Sequence, residues 1–179
     1  MTLNDDAVSA LRARLQREVD EGLVPACQFA LARDGELLTQ ETFGETPEDV
    51  RFLTYSATKG VFVSLVWHLI AEGLLDPDAP VADLWPEFAA HGKGVVTLDH
   101  VLLHTAGLPY ARLDVSTLGD RAARVQQMQD WSPVYEPGSR FEYHALSAHW
   151  ILAELVARVT GQDYRVALRE RILDPLGLT

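Results

Sequence analysis

The stretch Tyr55-Ser56-Ala57-Thr58-Lys59-Gly60, with the apolar run from Val61 to Leu75 behind it, decides how the rest of the chain reads. As a helix beginning near Ser56, it sets Ser56 and Lys59 one turn apart on the same face. A serine hydroxyl is inert near neutral pH until a neighbour takes its proton. A lysine does so only where burial or adjacent positive charge lowers its pKa. The run supplies the expected burial: Val61, Phe62, Val63, Leu65, Val66, Trp67, Leu69 and Ile70 leave almost no polar face, which predicts a helix packed on most sides. Ser64, His68 and Glu72 add a narrow polar seam at four-residue spacing.

A bare S-x-x-K spacing arises roughly once by chance in a chain this long, so its setting carries the argument. Lys59 and Lys93 are the only lysines, and arginine supplies every other basic side chain. A chain that otherwise uses arginine places a lysine at the start of a buried helix, where a permanently charged guanidinium could not act as a base. The competing reading is that Lys59 snorkels to solvent and Ser56 caps the helix.

With 179 residues, 47% of them hydrophobic, the chain can bury a core and reads as one domain or a large part of one. A net charge of −11 argues against a nucleic-acid partner, because no basic stripe is available to neutralise phosphates. The apolar run Val61 to Ile70 is too short for a membrane span, and the polar, acidic start Met1 to Asp6 lacks a secretory pattern, so a cytoplasmic setting is expected. Cys27 is the single cysteine and reads as a small buried hydrophobe. The scattered histidines have no metal-ligand spacing, and neither a metal nor a cofactor is expected.

Outward from the central stretch, residues 5–22 read as an amphipathic helix with Val8, Leu11, Leu15 and Val19 on one face and Gly22 at its C-terminal end. Two extended segments, 26–32 and 36–43, are joined by Arg33-Asp34-Gly35, a hairpin signal. A lone hairpin is marginal and calls for further strands or a helix against it. Val81 to Trp85 reads as one helical turn, Thr97 as the N-cap of a helix running to about His104, and 120–128 as helix-compatible. His104 reads as a helix-end residue satisfying local carbonyls. Pro137-Gly138 turns the chain into an extended segment, 141–143. Helices follow over about 146–160 and 163–173. Tyr143 thus stands just before a helix start, where a catalytic side chain or a half-buried aromatic is equally at home.

These stretches together resemble the serine β-lactamase-like superfamily, on the side of the class C β-lactamases, the D-alanyl-D-alanine carboxypeptidases and the family VIII carboxylesterases. The resemblance rests on Ser56-Ala57-Thr58-Lys59, then Leu102-Leu103-His104-Thr105-Ala106-Gly107-Leu108-Pro109, then Pro137-Gly138 with Tyr143, and finally Leu173-Asp174-Pro175-Leu176-Gly177-Leu178. It implies an α+β, β-lactamase/transpeptidase-like fold, with Ser56 as nucleophile, Lys59 as base and Tyr143 passing a proton to the leaving group. The implied substrate is a small ester or amide.

Two departures qualify the resemblance. The family's second motif is usually Tyr-x-Asn or Tyr-x-Ser, and here it reads Tyr143-His144-Ala145. Alanine offers no side-chain hydrogen bond, which tilts the expectation toward esters over lactams unless His144 or Ser147 substitutes. Family members are also roughly twice as long, so residues 1–179 are expected to be the N-terminal part of a single β-lactamase-like domain. The third motif, the remaining strands and the second oxyanion donor would lie elsewhere. On that expectation the isolated chain is a weak enzyme or inactive, and its unpaired sheet edge favours self-association. A non-catalytic binding module and a cell-wall carboxypeptidase remain the alternatives.

Overall fold

The structure, a computed structural model, describes residues 4–47 and 50–178. The chain divides into two units, Met1–Leu53 and Thr54–Thr179.

The first unit is built on a helix and a hairpin. Helix α1 spans Asp5–Asp20; Asn4 caps it, its Oδ1 accepting the Ala7 N–H, and Asp5 and Asp6 lie in the first turn, where the helix dipole favours them. It ends two residues earlier than periodicity suggests, with Gly22 left-handed at φ 70° just beyond it. Val8, Leu15 and Val19 are half-buried and Leu11 is exposed. Strands β1 (Ala26–Arg33) and β2 (Glu36–Gly44) pair antiparallel, from Ala26 opposite Gly44 to Arg33 opposite Glu36. Asp34 and Gly35 both take positive φ, 52° and 81°, as the tight hairpin turn requires. The register shifts between Leu31 and Ala32, a bulge in the strand pair. Arg12 ties α1 to β2 by donating to Glu41 at 2.6 Å and Thr39 at 3.3 Å.

The second unit is helical. A 3-10 turn, Tyr55–Ala57, leads into α2, Thr58–Ala71. Then come the single turn α3 (Val81–Leu84), α4 (Leu98–Leu102), α5 (Arg121–Asp130), α6 (Ser147–Thr160) and α7 (Tyr164–Leu168), which continues as a π turn over Arg169–Leu173. The starts of α4, α5 and α7 are capped by Thr97, Asp120 and Asp163, and α6 stops at left-handed Gly161. Phe62, Leu65, Val66 and Leu69 of α2 share one core with Ile151, Leu152, Leu155 and Val156 of α6, together with fully buried Trp85 and Phe88.

Packing of α2 is narrower than its composition predicts. Val61 and Trp67 are 41% and 56% exposed, so one side of the helix is bare. Apolar composition states what a helix can bury, whereas the elements that reach it decide what it does bury. Part of the polar seam has a structural use. Glu72 accepts from Arg171 at 2.5 Å and lies 3.1 Å from His68, joining the end of α2 to the π turn. Among the described residues no helix is long and apolar enough to cross a membrane.

Candidate active site

Ser56 lies in the 3-10 turn, not at the cap of α2; the N-cap position is Ala57, which makes no side-chain bond. Immediately before it, Tyr55 takes a left-handed backbone at φ 44°, a conformation a bulky residue adopts only under constraint. The chain enters α2 through this sharp corner with the Ser56 side chain exposed. Lys59 follows one turn on and its Nζ donates to Ser56 Oγ at 3.1 Å. From a segment 87 residues away, Tyr143 donates its hydroxyl to the same oxygen at 3.0 Å. The Lys59 ammonium also sits 5.4 Å from the Tyr143 ring centre. All three residues singled out in the sequence therefore meet at one oxygen atom. Hydrogen bonds with Ser56 first, then Lys59, hold the Tyr143 hydroxyl below the usual phenol range. The surroundings are wetter than expected: Lys59 is half-buried and Tyr143 is 45% exposed.

Tyr143 is placed by two segments that run alongside each other. Val134 N–H donates to Gly107 O at 2.8 Å, Gly138 N–H to Thr105 O at 2.9 Å and Glu142 N–H to His104 O at 3.1 Å. Gly107 makes the approach possible, since a Cβ there would lie 2.6 Å from Tyr135 O, and its φ of 79° also favours glycine. This is the physical role of the stretch Leu102 to Pro109: it braces the segment that carries Tyr143.

The two residues considered as substitutes for the missing Asn turn away from the site. His144 is fully buried. Its Nε2 accepts the Leu108 N–H at 2.8 Å, so its Nδ1 carries the proton and donates to Glu142 O at 2.5 Å. Ser147 is buried and donates to Leu108 O at 2.6 Å. Both latch the brace, and both are explained by the buried backbone groups they satisfy. His104 also departs from expectation: in place of capping helix carbonyls, it takes a left-handed backbone at φ 59° and its Nδ1 accepts the His144 N–H at 3.1 Å. Its ring stands 4.9 Å from the Tyr143 ring.

The chain matches the beta-lactamase family over residues 11–179. It belongs to that family. It is 36% identical over 133 residues to the esterase/beta-lactamase LipL of Mycobacterium tuberculosis, covering 69% of this chain and 29% of that protein. It is 30% identical over 204 residues to the esterase EstB of Burkholderia gladioli, covering 97% and 51% respectively. A solved family VIII carboxylesterase superposes with a TM-score of 0.82 at 32% identity, over 94% of this chain and 49% of that one. A penicillin-binding protein homologue from Caulobacter crescentus gives the same TM-score and identity, over 94% and 48%. These relations establish the β-lactamase/penicillin-binding-protein fold expected from the sequence. The chain spans about half the length, or less, of these relatives.

In this beta-lactamase-family chain the histidines around the site share one electrostatic condition. Burial pushes His149 down to about 4, with the Lys59 charge adding to it. Burial also lowers His104, aided by His144 and Lys59, and lowers His144 against the opposing pull of Glu142. With folded pKa values below the ordinary 6.5, the unfolded chain binds more protons in between. Stability is therefore full above about 6.5 and falls as pH drops toward the folded values. The expected loss is up to about 1.4 kcal/mol per pH unit for His149, with His104 and His144 acting in the same direction. Urea unfolding midpoints measured from pH 7.5 to 4.5 check this; a flat profile would contradict it. Protonation also removes the acceptors for Leu108 N–H and His144 N–H, which loosens the brace under Tyr143.

Proposed function

We propose that the chain carries the nucleophilic centre of a serine hydrolase acting on small carboxylic esters. The observation that supports it is the convergence of Lys59 Nζ and Tyr143 Oη on Ser56 Oγ, at 3.1 and 3.0 Å. An unprotonated Lys59 amine takes the serine proton while Oγ bonds to the ester carbonyl carbon. The tetrahedral adduct collapses by breaking the carbon–alkoxide bond, and the departing alkoxide takes a proton through Tyr143, which Lys59 replenishes. Ser56 is left acylated. Attack of water on that ester, with its proton passed to the same pair, frees the acid and restores the serine. The Ser56 N–H at the helix start is suited to hold the developing oxyanion.

Esters are favoured over lactams because Ala145 offers no side-chain hydrogen bond and because His144 and Ser147 are committed to the backbone around Leu108. That EstB is named as an esterase agrees with this, while LipL, named as both an esterase and a beta-lactamase, is compatible with either substrate class.

Mass spectrometry after incubation with p-nitrophenyl acetate, a fluorophosphonate and a penicillin tests the reading. Adducts from the first two on the peptide containing Ser56, absent in Ser56→Ala, are expected. A folded chain that none of the three labels would overturn it, and labelling by the penicillin alone would overturn the preference for esters.

A further inference from the structure

A single residue grips the chain on both sides of Tyr143. The His104 carbonyl accepts the Glu142 N–H at 3.1 Å, and its Nδ1 accepts the His144 N–H, also at 3.1 Å. Between these two bonds the imidazole lies against the phenol ring, with centroids 4.9 Å apart, and Phe141 stands nearly perpendicular to it at 6.2 Å. With its backbone left-handed at φ 59°, His104 turns its carbonyl and its ring to the same neighbouring segment. Few residues can fill such a position. Glycine takes the backbone but brings no side chain, whereas Asn, Asp and His are enriched there and each carries an acceptor at the δ position. Of these only histidine adds an aromatic face, together with a charge that changes near neutral pH.

We propose that His104 is a positioning residue for Tyr143: while neutral it clamps the phenol onto Ser56, and on protonation it lets go, so that acid disables acylation through His104 as well as through Lys59. This rests on the reading of Ser56 as nucleophile and Tyr143 as its proton-transfer partner. The neutral ring carries its proton on Nε2, because Nδ1 is the acceptor. A second proton can go only to Nδ1, where it faces the His144 N–H and replaces a bond by a repulsion. The titratable groups around the ring are Lys59 from α2, His149 from α6, and Tyr143 and His144 on the gripped segment. Burial, with His144 and Lys59 adding to it, holds the imidazole below its ordinary 6.5, so the clamp is closed at neutral pH and opens on acidification.

Two measurements test it. The first needs no substrate: the Tyr143 phenol is titrated by NMR in chain whose tyrosines carry a carbon-13 label at Cζ. Hydrogen bonds with Ser56 and Lys59 hold that phenol below the usual range, so release of the clamp returns it toward the free value of about 10. His104→Gln, whose acceptor lies one atom too far out, should show this rise. His104→Asn, which keeps the δ acceptor and tolerates the left-handed backbone, should not. The second measurement is single-turnover acylation by p-nitrophenyl acetate across neutral and acid pH, with circular dichroism to show that each variant is folded. At pH 7.5 the glutamine variant should be slower by about tenfold or more and the asparagine variant within about threefold of the parent. The proton on Lys59 gives log rate against pH a slope of one. The parent should steepen toward two at the acid end, and His104→Asn should stay at one. A glutamine variant that matches the parent, an asparagine variant that fails as glutamine does, or equal steepening in the parent and His104→Asn overturns the proposal. Should the glutamine variant unfold, the slopes of the other two carry the test. Absence of acylation in every folded chain overturns the hydrolase reading instead; the clamp is then judged by the phenol titration, and equal phenol values across the folded chains overturn it.

Discussion

Replacing Lys59 by methionine is expected to slow acylation of Ser56 by about a hundredfold or more, the range in which a positioned general base contributes. Methionine preserves the length and flexibility of the stem and removes only the amine. The amine is the group that matters, since its Nζ lies 3.1 Å from the hydroxyl whose proton has to leave. Lys59→Arg should be no better than methionine, because a guanidinium keeps its proton at any working pH. The measurement is the p-nitrophenolate burst under single-turnover conditions, with circular dichroism to show that each variant is folded. A folded methionine variant within about threefold of the parent would remove Lys59 from the proton-transfer role and leave Tyr143 as the candidate base.

The other lysine predicts a large effect of a different kind. Lys93 is 0% exposed, and its ammonium donates to Ala90 O at 2.8 Å, to Gln129 O at 2.7 Å and to Trp131 O. It also lies 5.3 Å from the Phe88 ring centre. Burial pushes its pKa down to about 8, with Asp130 opposing, so at pH 7 it is mainly protonated with all three donors in use. Lys93→Met leaves three carbonyls without that donor, at about 1–3 kcal/mol each, and recovers part of the cost of burying a charge. A net destabilisation of about 3 kcal/mol is expected, read as a lower urea midpoint at unchanged slope. A loss below about 1 kcal/mol would mean that the carbonyls are satisfied another way. Lys93→Arg should not rescue it, because a planar fork cannot point at three carbonyls placed around a compact ammonium.

The two lysines mark the limit of what the sequence reveals. Each stands where arginine would fail, Lys59 because the proposed base has to give up its proton before it can take one and Lys93 because its group has to fit a closed shell of carbonyls. Usage alone singled out both, and only the spacing to Ser56 separated them. The hairpin was legible because Asp34-Gly35 states its own turn, and most of the helices were legible from periodicity and caps. The convergence of Tyr143 on Ser56 was not. It depends on hydrogen bonds between the segment around His104 to Leu108 and the segment around Val134 to His144, a pairing between distant stretches that leaves no local pattern. The motif resemblance pointed to Tyr143, and the structure supplies the reason it arrives. The parts played by His104 and His144 were equally hidden, since a histidine on a loop reads the same whether or not its nitrogens are bonded to backbone.

The left-handed backbone at Tyr55 has a consequence for anyone selecting sturdier versions of this chain. Glycine would adopt φ 44° without the penalty of order 1 kcal/mol that tyrosine carries there, so a screen for heat tolerance would enrich it. Glycine would also let the corner relax into other shapes, and the serine behind it would lose its aim. Selection on melting temperature and selection on turnover would therefore pull this position in opposite directions.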